Sequence, residues 1–516
     1  MTYAPRQPLL PHQLEGARRR AARPPGEDVW ADFSEMGTGK TASLLAEWGE
    51  RAAAGDLTDL LVVAPRGSYR SWWSSRGEGE VRVVCELDKH LDPALRERTL
   101  VAPWVSGMGV TARRALGDFL AARDRPRAFF INVEALGTVA KAQLAADEFM
   151  AAGRTLMVVD ESTRIRTHDA KRTDWVVRHG KAARARRIMT GLPTPRSPLD
   201  LFSQFEFLDW RILGFRDFFP FRRRYAVMEQ AVVGVQTSAD GEVRRDAEGK
   251  PRLRYAWVDL DYRNLDELRE RVAPWQYRAL KADCLRLPPK VYLRREVELT
   301  DEQRRVYEEL RTEATAELDS GEFVSADRRV QQVLRLHQVV LGHVTTEARE
   351  VRALKSNRVR ALMEVLEEHS GKVAVWFHYK PGLHAVAAAL RAEYGPAAVA
   401  EFHGDNAGTR DVDELRWRTD AACPYVCATE DSGGLGNNWQ CASLAVYFSN
   451  SYDLEHRMQS EDRHHRMGQG AERVTYVDLV SPGTVDERIL EVLRKKMTLA
   501  AALMGDGYRE WLRPAG

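Results

Sequence analysis

Apolar residues along this chain fall mostly into short unbroken runs. "LLVVAP" (Leu60–Pro65), "AFFINV" (Ala128–Val133), "TLMVVDE" (Thr155–Glu161), "RRIMTG" (Arg186–Gly191), "VAVWFH" (Val373–His378) and "SLAVYFSN" (Ser443–Asn450) have this form. Runs of this length, rich in β-branched residues, read as parallel strands buried on both faces. Between them lie Ala-, Leu-, Arg- and Glu-rich stretches whose apolar positions recur at helical spacing, as in Asn357–Glu368 and Leu383–Tyr394. Strand–helix alternation predicts an α/β fold with two parallel-sheet regions, over 1–225 and 286–495.

The middle of the chain breaks this rhythm. A helical stretch around Leu199–Leu208 leads into "FRDFFPFRRRY" (Phe215–Tyr225), aromatic and basic. Residues 226–262 alternate around turn clusters at Asp240–Gly241 and Glu248–Pro251, which predicts a β-hairpin insert. Helices are expected at Asn264–Asp283, within a helical protrusion or linker over 263–285, and at Asp301–Leu341. "LRLPPK" (Leu285–Lys290) reads as the hinge into the second region, and 496–516 as a C-terminal tail.

Composition narrows the class only a little. At 516 residues, 44% hydrophobic and 29% charged, the chain has the profile of a globular protein with two or three domains. A net charge of +2 neither demands nor excludes nucleic acid, since a basic cleft can be offset by acidic outer faces. Arginine far outnumbers lysine, which fits a GC-rich genome and an expected source in a prokaryote or its phage. Cys423 and Cys427 form the one close pair among five cysteines, so isolated reduced thiols are expected rather than a zinc finger. No run approaches bilayer length, and the N-terminus lacks a signal-peptide pattern. A cytoplasmic protein with no membrane partner is expected, in a prokaryotic cell or phage-infected host.

Three stretches carry candidate chemistry. "SEMGTGKT" (Ser34–Thr41) contains Gly37, Gly39, Lys40 and Thr41 but has Ser34 where the strict phosphate-loop pattern has glycine. By itself it fits either a phosphate cradle or a plain turn into a helix. Glycines would let backbone N–H groups face phosphates, with Lys40 reaching the β/γ oxygens and Thr41 holding Mg²⁺ at a helix N-terminus. Downstream, an apolar strand ends in Asp160–Glu161, where an acid pair can hold Mg²⁺ and orient a water. In "QSEDRHHRMGQ" (Gln459–Gln469), Arg463 and Arg466 stand three apart and are expected on one helical face, able to meet a γ-phosphate. His464–His465 beside them read as helix-surface packing rather than metal ligands, and Trp72–Trp73 as packing rather than base stacking.

The order of these motifs resembles the Swi/Snf-type family of superfamily-two helicase-like ATPases, over nearly the whole chain. "LLPHQLEGA" is similar to the family's Q motif, "EMGTGKT" to motif I, which in the family also lacks the early glycine, and "LLVVAPRGSYRSWW" to motif Ia. "INVEAL" resembles the next DNA-facing segment, "VVDESTRIR" motif II and "MTGLPTPRSPLDLFSQFEFLD" motif III. "VAVWFHY" resembles motif IV, "ATEDSGGLGNNWQCAS" motif V and "QSEDRHHRMGQ" motif VI. Two departures stand out: Leu192 where motif III usually has a second Thr, and Asn437 at a usually apolar position of motif V.

The resemblance implies two RecA-like lobes with helical protrusions, and ATP with Mg²⁺ as cofactors. It assigns ATP binding to Gln13, Met36, Gly37, Thr38, Gly39, Lys40, Thr41, Gly434, Arg463 and Arg466, with Mg²⁺ on Thr41 and Asp160. Catalysis falls to Lys40, Asp160, Glu161, Gln459, Arg463 and Arg466, and coupling to Thr190 and Gly191. DNA phosphates would be held by Arg66, Ser68, Asn132 and Glu134, and by His378, Tyr379, Gly404, Arg410, Thr429 and Asn438. "FRRRY" (Phe221–Tyr225) is a further candidate duplex contact. The implied protein is a monomeric translocase on double-stranded DNA, acting on DNA-bound proteins or DNA structures, with the 226–262 hairpin carrying specificity. A strand-separating DNA or RNA helicase, or a weakly catalytic DNA-binding remodelling scaffold, remains open at this point.

Overall fold

The computed structural model describes residues 3–75, 84–151, 153–236, 238, 244–246, 248–249, 252–319, 326–346, 350–406, 408–433 and 438–504. The chain forms two units. Of the described residues, one gathers 3–225, 264–287 and 499–504, the other 226–263 and 288–498.

In chain order the first unit contains β1 (Asp28–Asp32), β2 (Asp59–Ala64), β3 (Leu100–Pro103), β4 (Arg127–Asn132), β5 (Thr155–Asp160) and β6 (Ala185–Met189). The second unit's hairpin follows as β7 (Ala226–Val235) and β8 (Leu253–Tyr262), and β9 (Gln276–Tyr277) returns to the first. Strand order in the first sheet is β3-β4-β2-β5-β6-β1-β9, all pairs parallel. Every residue of β2, β4 and β6 is buried, as strands covered by helices on both faces require. One face packs Leu45, Trp48, Val62, Phe130 and Val158 into a single cluster. At the strand starts, Arg127 and Asp59 are register partners on β4 and β2, and both guanidinium nitrogens facing Asp59 donate to it, at 2.9 and 2.8 Å.

The remaining strands are β10 (Lys290–Glu296), β11 (His343–Thr345), β12 (Val351–Ala353), β13 (Lys372–Phe377), β14 (Val399–Phe402), β15 (Tyr425–Thr429), β16 (Ala442–Tyr447) and β17 (Val474–Val480). The second sheet, also parallel, runs β10-β17-β16-β13-β15-β14. Trp376, Trp417, Trp439 and Tyr447 form its aromatic core on one face. β11 and β12 pair separately, as do β7 and β8.

The six apolar runs fall on β2, β4, β5, β6, β13 and β16. The expected helix over Asn264–Asp283 is instead a helix at Leu265–Val272, a 3-10 turn at Ala273–Trp275, β9, and a short helix at Lys281–Cys284. Pro274 supplies the reason: it has no N–H to continue the helix, and the Trp-Gln-Tyr that follows favours extended chain. The predicted Asp301–Leu341 helix is two, Asp301–Asp319 and Ala326–Val340. The hairpin's turn cluster at Asp240–Gly241 lies outside the described residues, as do Lys250 and Pro251 of the second cluster. All five cysteines are free. Among the described residues, no helix is long and apolar enough to cross a membrane.

Candidate active site

The loop between β1 and the helix Lys40–Ala53 turns on its own hydrogen bonds. Ser34 N–H donates to Asp32 Oδ1 (3.0 Å), and Thr38 Oγ1 to the Glu35 carbonyl (2.7 Å). Gly37 and Gly39 stand at φ +81° and +87°, a region that favours glycine. Lys40 Nζ reaches back across the loop to the carbonyls of Ser34 (2.8 Å) and Glu35 (3.2 Å). Thr41 lies in the first helical turn, where backbone N–H groups have no intrahelical acceptor.

Gln13, on the helix Pro11–Ala21, is buried beneath this loop. Its Nε2 donates to the carbonyls of Thr38 (3.2 Å) and Gly39 (3.1 Å), while its Oε1 accepts from Leu10 N–H (2.8 Å). A Cβ on Gly39 would lie 2.2 Å from that Nε2. What the geometry gives Gln13 is thus a brace on the loop's backbone. A second brace comes from the stretch read as linker. Arg278 Nη1 donates to the Phe33 carbonyl (2.6 Å), Ala279 N–H to Ser34 Oγ (3.1 Å) and Lys281 N–H to Glu35 Oε2 (2.7 Å). Pro274 followed by β-forming residues was the sequence signal for it.

Asp160 ends β5, and Glu161 follows in the left-handed region at φ +49°. Asp160 Oδ2 accepts from Trp72 Nε1 (3.1 Å) and Oδ1 from Glu161 N–H (3.0 Å). Burial raises the Asp160 carboxyl, against the lowering effects of the Trp72 bond and the Lys40 charge. Trp72 is 1% exposed, packed as the sequence implied, but it is also a hydrogen-bond donor to the acid, which a two-residue motif cannot show. Thr190, just past β6, donates its hydroxyl to Glu161 Oε2 at 3.1 Å. Gly191 packs against Met36: a Cβ there would lie 2.6 Å from Met36 Cγ. Buried Gln204 joins the same assembly, accepting from Ser162 Oγ (2.6 Å) and donating to the carbonyl of Pro193 (2.8 Å). Since β5, β6 and β1 are neighbours in that order, the phosphate-loop candidate, the acid pair and Thr190–Gly191 all emerge at adjacent carboxyl ends of one sheet, where open α/β sheets bind ligands.

The other candidates of the first unit sit at the ends of β2 and β4. Arg66 N–H donates to Glu134 Oε2 (3.1 Å), and the Asn132 side chain caps the next helix by accepting from Ala135 N–H (2.9 Å). Ser68 is buried, with its hydroxyl 3.4 Å from the Pro65 carbonyl. These four are brought together, with Arg66 exposed. In "FRRRY", Phe221 and Tyr225 are core residues and Arg224 donates to Glu267 Oε2 (3.0 Å), so that arginine serves the fold.

In the second unit, Gln459 and Arg463 are buried on the helix Leu454–His464. The expected shared helical face for Arg463 and Arg466 is corrected: the helix ends at His464, and Arg466 lies in the following bend. Carbonyls of its last turn accept from groups outside the helix. Glu461 O accepts from Tyr476 OH (2.9 Å), Arg463 O from Trp439 N–H (3.0 Å) and His464 O from Gln469 Nε2 (3.1 Å). His464 is likewise no surface residue. It is fully buried with its ring against Trp376, Trp439 and Tyr476, and burial pushes its pKa down to about 4.

His378 and Tyr379 follow β13, with ring centroids 4.4 Å apart. Gly404 follows β14, and the Arg410 guanidinium lies 5.1 Å over the Phe402 ring. Thr429 departs from the expected phosphate contact: it is 3% exposed, and its hydroxyl is enclosed with no hydrogen-bond partner among the described residues. Asn438 is half-buried; Gly434 and Asn437 lie outside the described residues.

The profile of the SNF2-related domain matches residues 32–342. Protein CHROMATIN REMODELING 4 of Arabidopsis thaliana is 25% identical over 252 residues, covering 46% of this chain and 11% of that protein. DNA annealing helicase and endonuclease ZRANB3 of Mus musculus is 24% identical over 530 residues, covering 98% of this chain and 42% of the mouse protein. The chain therefore spans less than half the length of these relatives. Among solved structures, the Sulfolobus solfataricus SWI2/SNF2 ATPase core in complex with dsDNA aligns with a TM-score of 0.39 at 18% identity, over 98% of this chain and 95% of that one.

Proposed function

The chain belongs to the family of SNF2-related domains, and from that premise we propose that it is an ATP-hydrolysing motor that moves along double-stranded DNA and remodels the DNA or what is bound to it. The observation that carries the reading is the convergence of the 34–41 loop, Asp160–Glu161 and Thr190 at neighbouring strand ends, with Thr190 Oγ1 3.1 Å from Glu161 Oε2.

ATP is the substrate of this reading. The glycines leave the loop backbone free to present N–H groups to phosphate oxygens, and Lys40 exchanges its carbonyl partners for the β/γ-phosphates. Thr41 and Asp160 are the oxygen donors that would hold Mg²⁺, and a buried carboxyl raised by desolvation fits a dication as its counter-charge. Bound Mg²⁺ would supply neutralisation of charge on the phosphates. Glu161, fixed by Thr190, accepts a hydrogen bond from the attacking water and polarises it. Gln459, Arg463 and Arg466 are the residues assigned to the developing charge on the transferring phosphoryl group. Exposed Arg66, in the loop that follows β2, suits a sequence-independent phosphate contact.

The test is steady-state ATP hydrolysis with no nucleic acid, duplex DNA, single-stranded DNA and RNA, using Lys40→Ala as blank. Strong stimulation by duplex, absent in the blank, is the expected result. Preference for a single strand would replace the reading with a strand-separating helicase. Equal rates in all four would overturn the motor and leave a binding scaffold.

A further inference from the structure

A cluster in the second unit takes no part in the nucleotide chemistry. Glu401 on β14 and His403 just beyond it face His384, which comes from the helix Lys380–Tyr394. Glu401 Oε2 lies 3.2 Å from His384 Nδ1 and 3.3 Å from His403 Nε2. The three ligand atoms all fall within 4.8 Å of one another.

Those two distances are long for charge-assisted hydrogen bonds, which run at about 2.7–2.9 Å. Other His–carboxylate pairs here range from 2.7 Å (His179–Asp147) to 3.4 Å (His337–Asp486), so it is the convergence of three ligand atoms, not either length alone, that marks this cluster. The two distances come close to another geometry. Ligand atoms ~2.0–2.2 Å from a tetrahedral Zn²⁺ stand about 3.3–3.6 Å apart along each edge. Two edges of such a tetrahedron are thus already nearly in place.

The surroundings organise the carboxylate for that role. Arg391 Nη2 donates to Glu401 Oε1 at 2.6 Å, which fixes the group from behind and leaves Oε2 toward the two imidazoles. Orientation of a ligating carboxylate by an outer hydrogen bond is a regular feature of metal sites. The imidazole rings meet edge to face, 5.1 Å between centroids. His403 is buried while the His384 side chain is about half exposed, which opens the fourth position to water.

We propose that His384, Glu401 and His403 form a binding site for a borderline transition-metal dication, Zn²⁺ foremost, with water completing the tetrahedron. Two imidazoles and one carboxylate suit Zn²⁺, Co²⁺ or Ni²⁺, whereas Mg²⁺ prefers all-oxygen octahedral ligands. The Mg²⁺ used for hydrolysis therefore does not fill it. A bound ion would staple the helix Lys380–Tyr394 to the end of β14, where Lys380 already pairs with Asp405 at 2.6 Å. Gly404 and Arg410, both candidate DNA contacts, belong to the segment so fixed.

The test uses untagged, metal-stripped full chain. It is titrated with Zn²⁺ by calorimetry and with Co²⁺ by visible absorption. The expected result is one Zn²⁺ per chain, a tetrahedral Co²⁺ spectrum displaced by Zn²⁺, and a melting temperature raised by the metal. His384→Ala, a substitution at an exposed helical position, weakens binding at least ~10-fold and abolishes the thermal shift. Cys441→Ser, which removes the one exposed thiol, leaves binding unchanged. Absence of stoichiometric binding, an octahedral Co²⁺ spectrum, or Zn²⁺ affinity retained in a folded His384→Ala protein would overturn the site.

Discussion

Thr190→Val isolates the contact on which the active-site reading rests. Thr190 is 2% exposed, and valine reproduces its shape while removing the hydroxyl that donates to Glu161 Oε2 at 3.1 Å. A hydrogen bond to an ionised partner contributes about 1.5–3 kcal/mol. If Glu161 needs that bond to hold the attacking water, its removal appears in the barrier, where each 1.36 kcal/mol is about a factor of ten. The expected fall in duplex-stimulated kcat is therefore roughly 10- to 100-fold, with KM for ATP changed by much less. Unfolding stability should drop by only ~1–2 kcal/mol, because the hydroxyl oxygen's other hydrogen bond, from Leu192 N–H, is a weak one at 3.4 Å. The assay is steady-state hydrolysis at saturating duplex, with a urea melt as the fold control and Glu161→Gln as the reference for full inactivation. A Thr190→Val rate within about two-fold of wild type, beside an inactive Glu161→Gln, would refute the coupling of β6 to the acid.

Three further outcomes follow from the geometry. Gly39→Ala sets a Cβ 2.2 Å from Gln13 Nε2 at φ +87°, so it should abolish nucleotide binding, measured by fluorescence titration with an ATP analogue. Arg127→Met leaves buried Asp59 without its bidentate partner and should cost about 3–5 kcal/mol of stability in denaturant melts, part of it recovered by adding Asp59→Asn. Glu430 is 2% exposed and burial raises its pKa from an ordinary 4.5 to about 7, against lowering by Ser451 and Arg457. The folded state then holds a proton that the unfolded chain has released. Stability should fall as pH rises from 4.5 to 7 and stay lower above, by a contribution on the order of 3 kcal/mol that Glu430→Gln removes.

Much of this protein was legible along the chain because its signals are local. A continuous apolar run must be covered on both faces, so β2, β4, β5, β6, β13 and β16 announced themselves. The glycines of the 34–41 loop and the acid pair after a strand carry their chemistry within a few residues, and their order along the sequence was enough to point to the family. Strands with polar or small residues, such as "DVWAD" in β1 and "VAEF" in β14, gave no comparable run, and the two-residue β9 was too short to give any.

Tertiary structure decided the rest, because register and burial join residues far apart in sequence. Trp72 meets Asp160, Gln204 meets Ser162, and Arg278 meets Phe33 through sheet neighbours that no spacing rule predicts. The same applies where the local reading erred. Helical periodicity put Arg466 on a face with Arg463, but the helix stops at His464, where carbonyls of its last turn accept from Tyr476, Trp439 and Gln469. His464, polar by type, was drawn into an aromatic core because the helix end packs against Trp376, Trp439 and Tyr476. The His384–Glu401–His403 cluster exists only because the helix after β13 crosses the end of β14. Sequence determined which elements form and which chemistry they carry, while the closing of the sheets determined which of those groups touch.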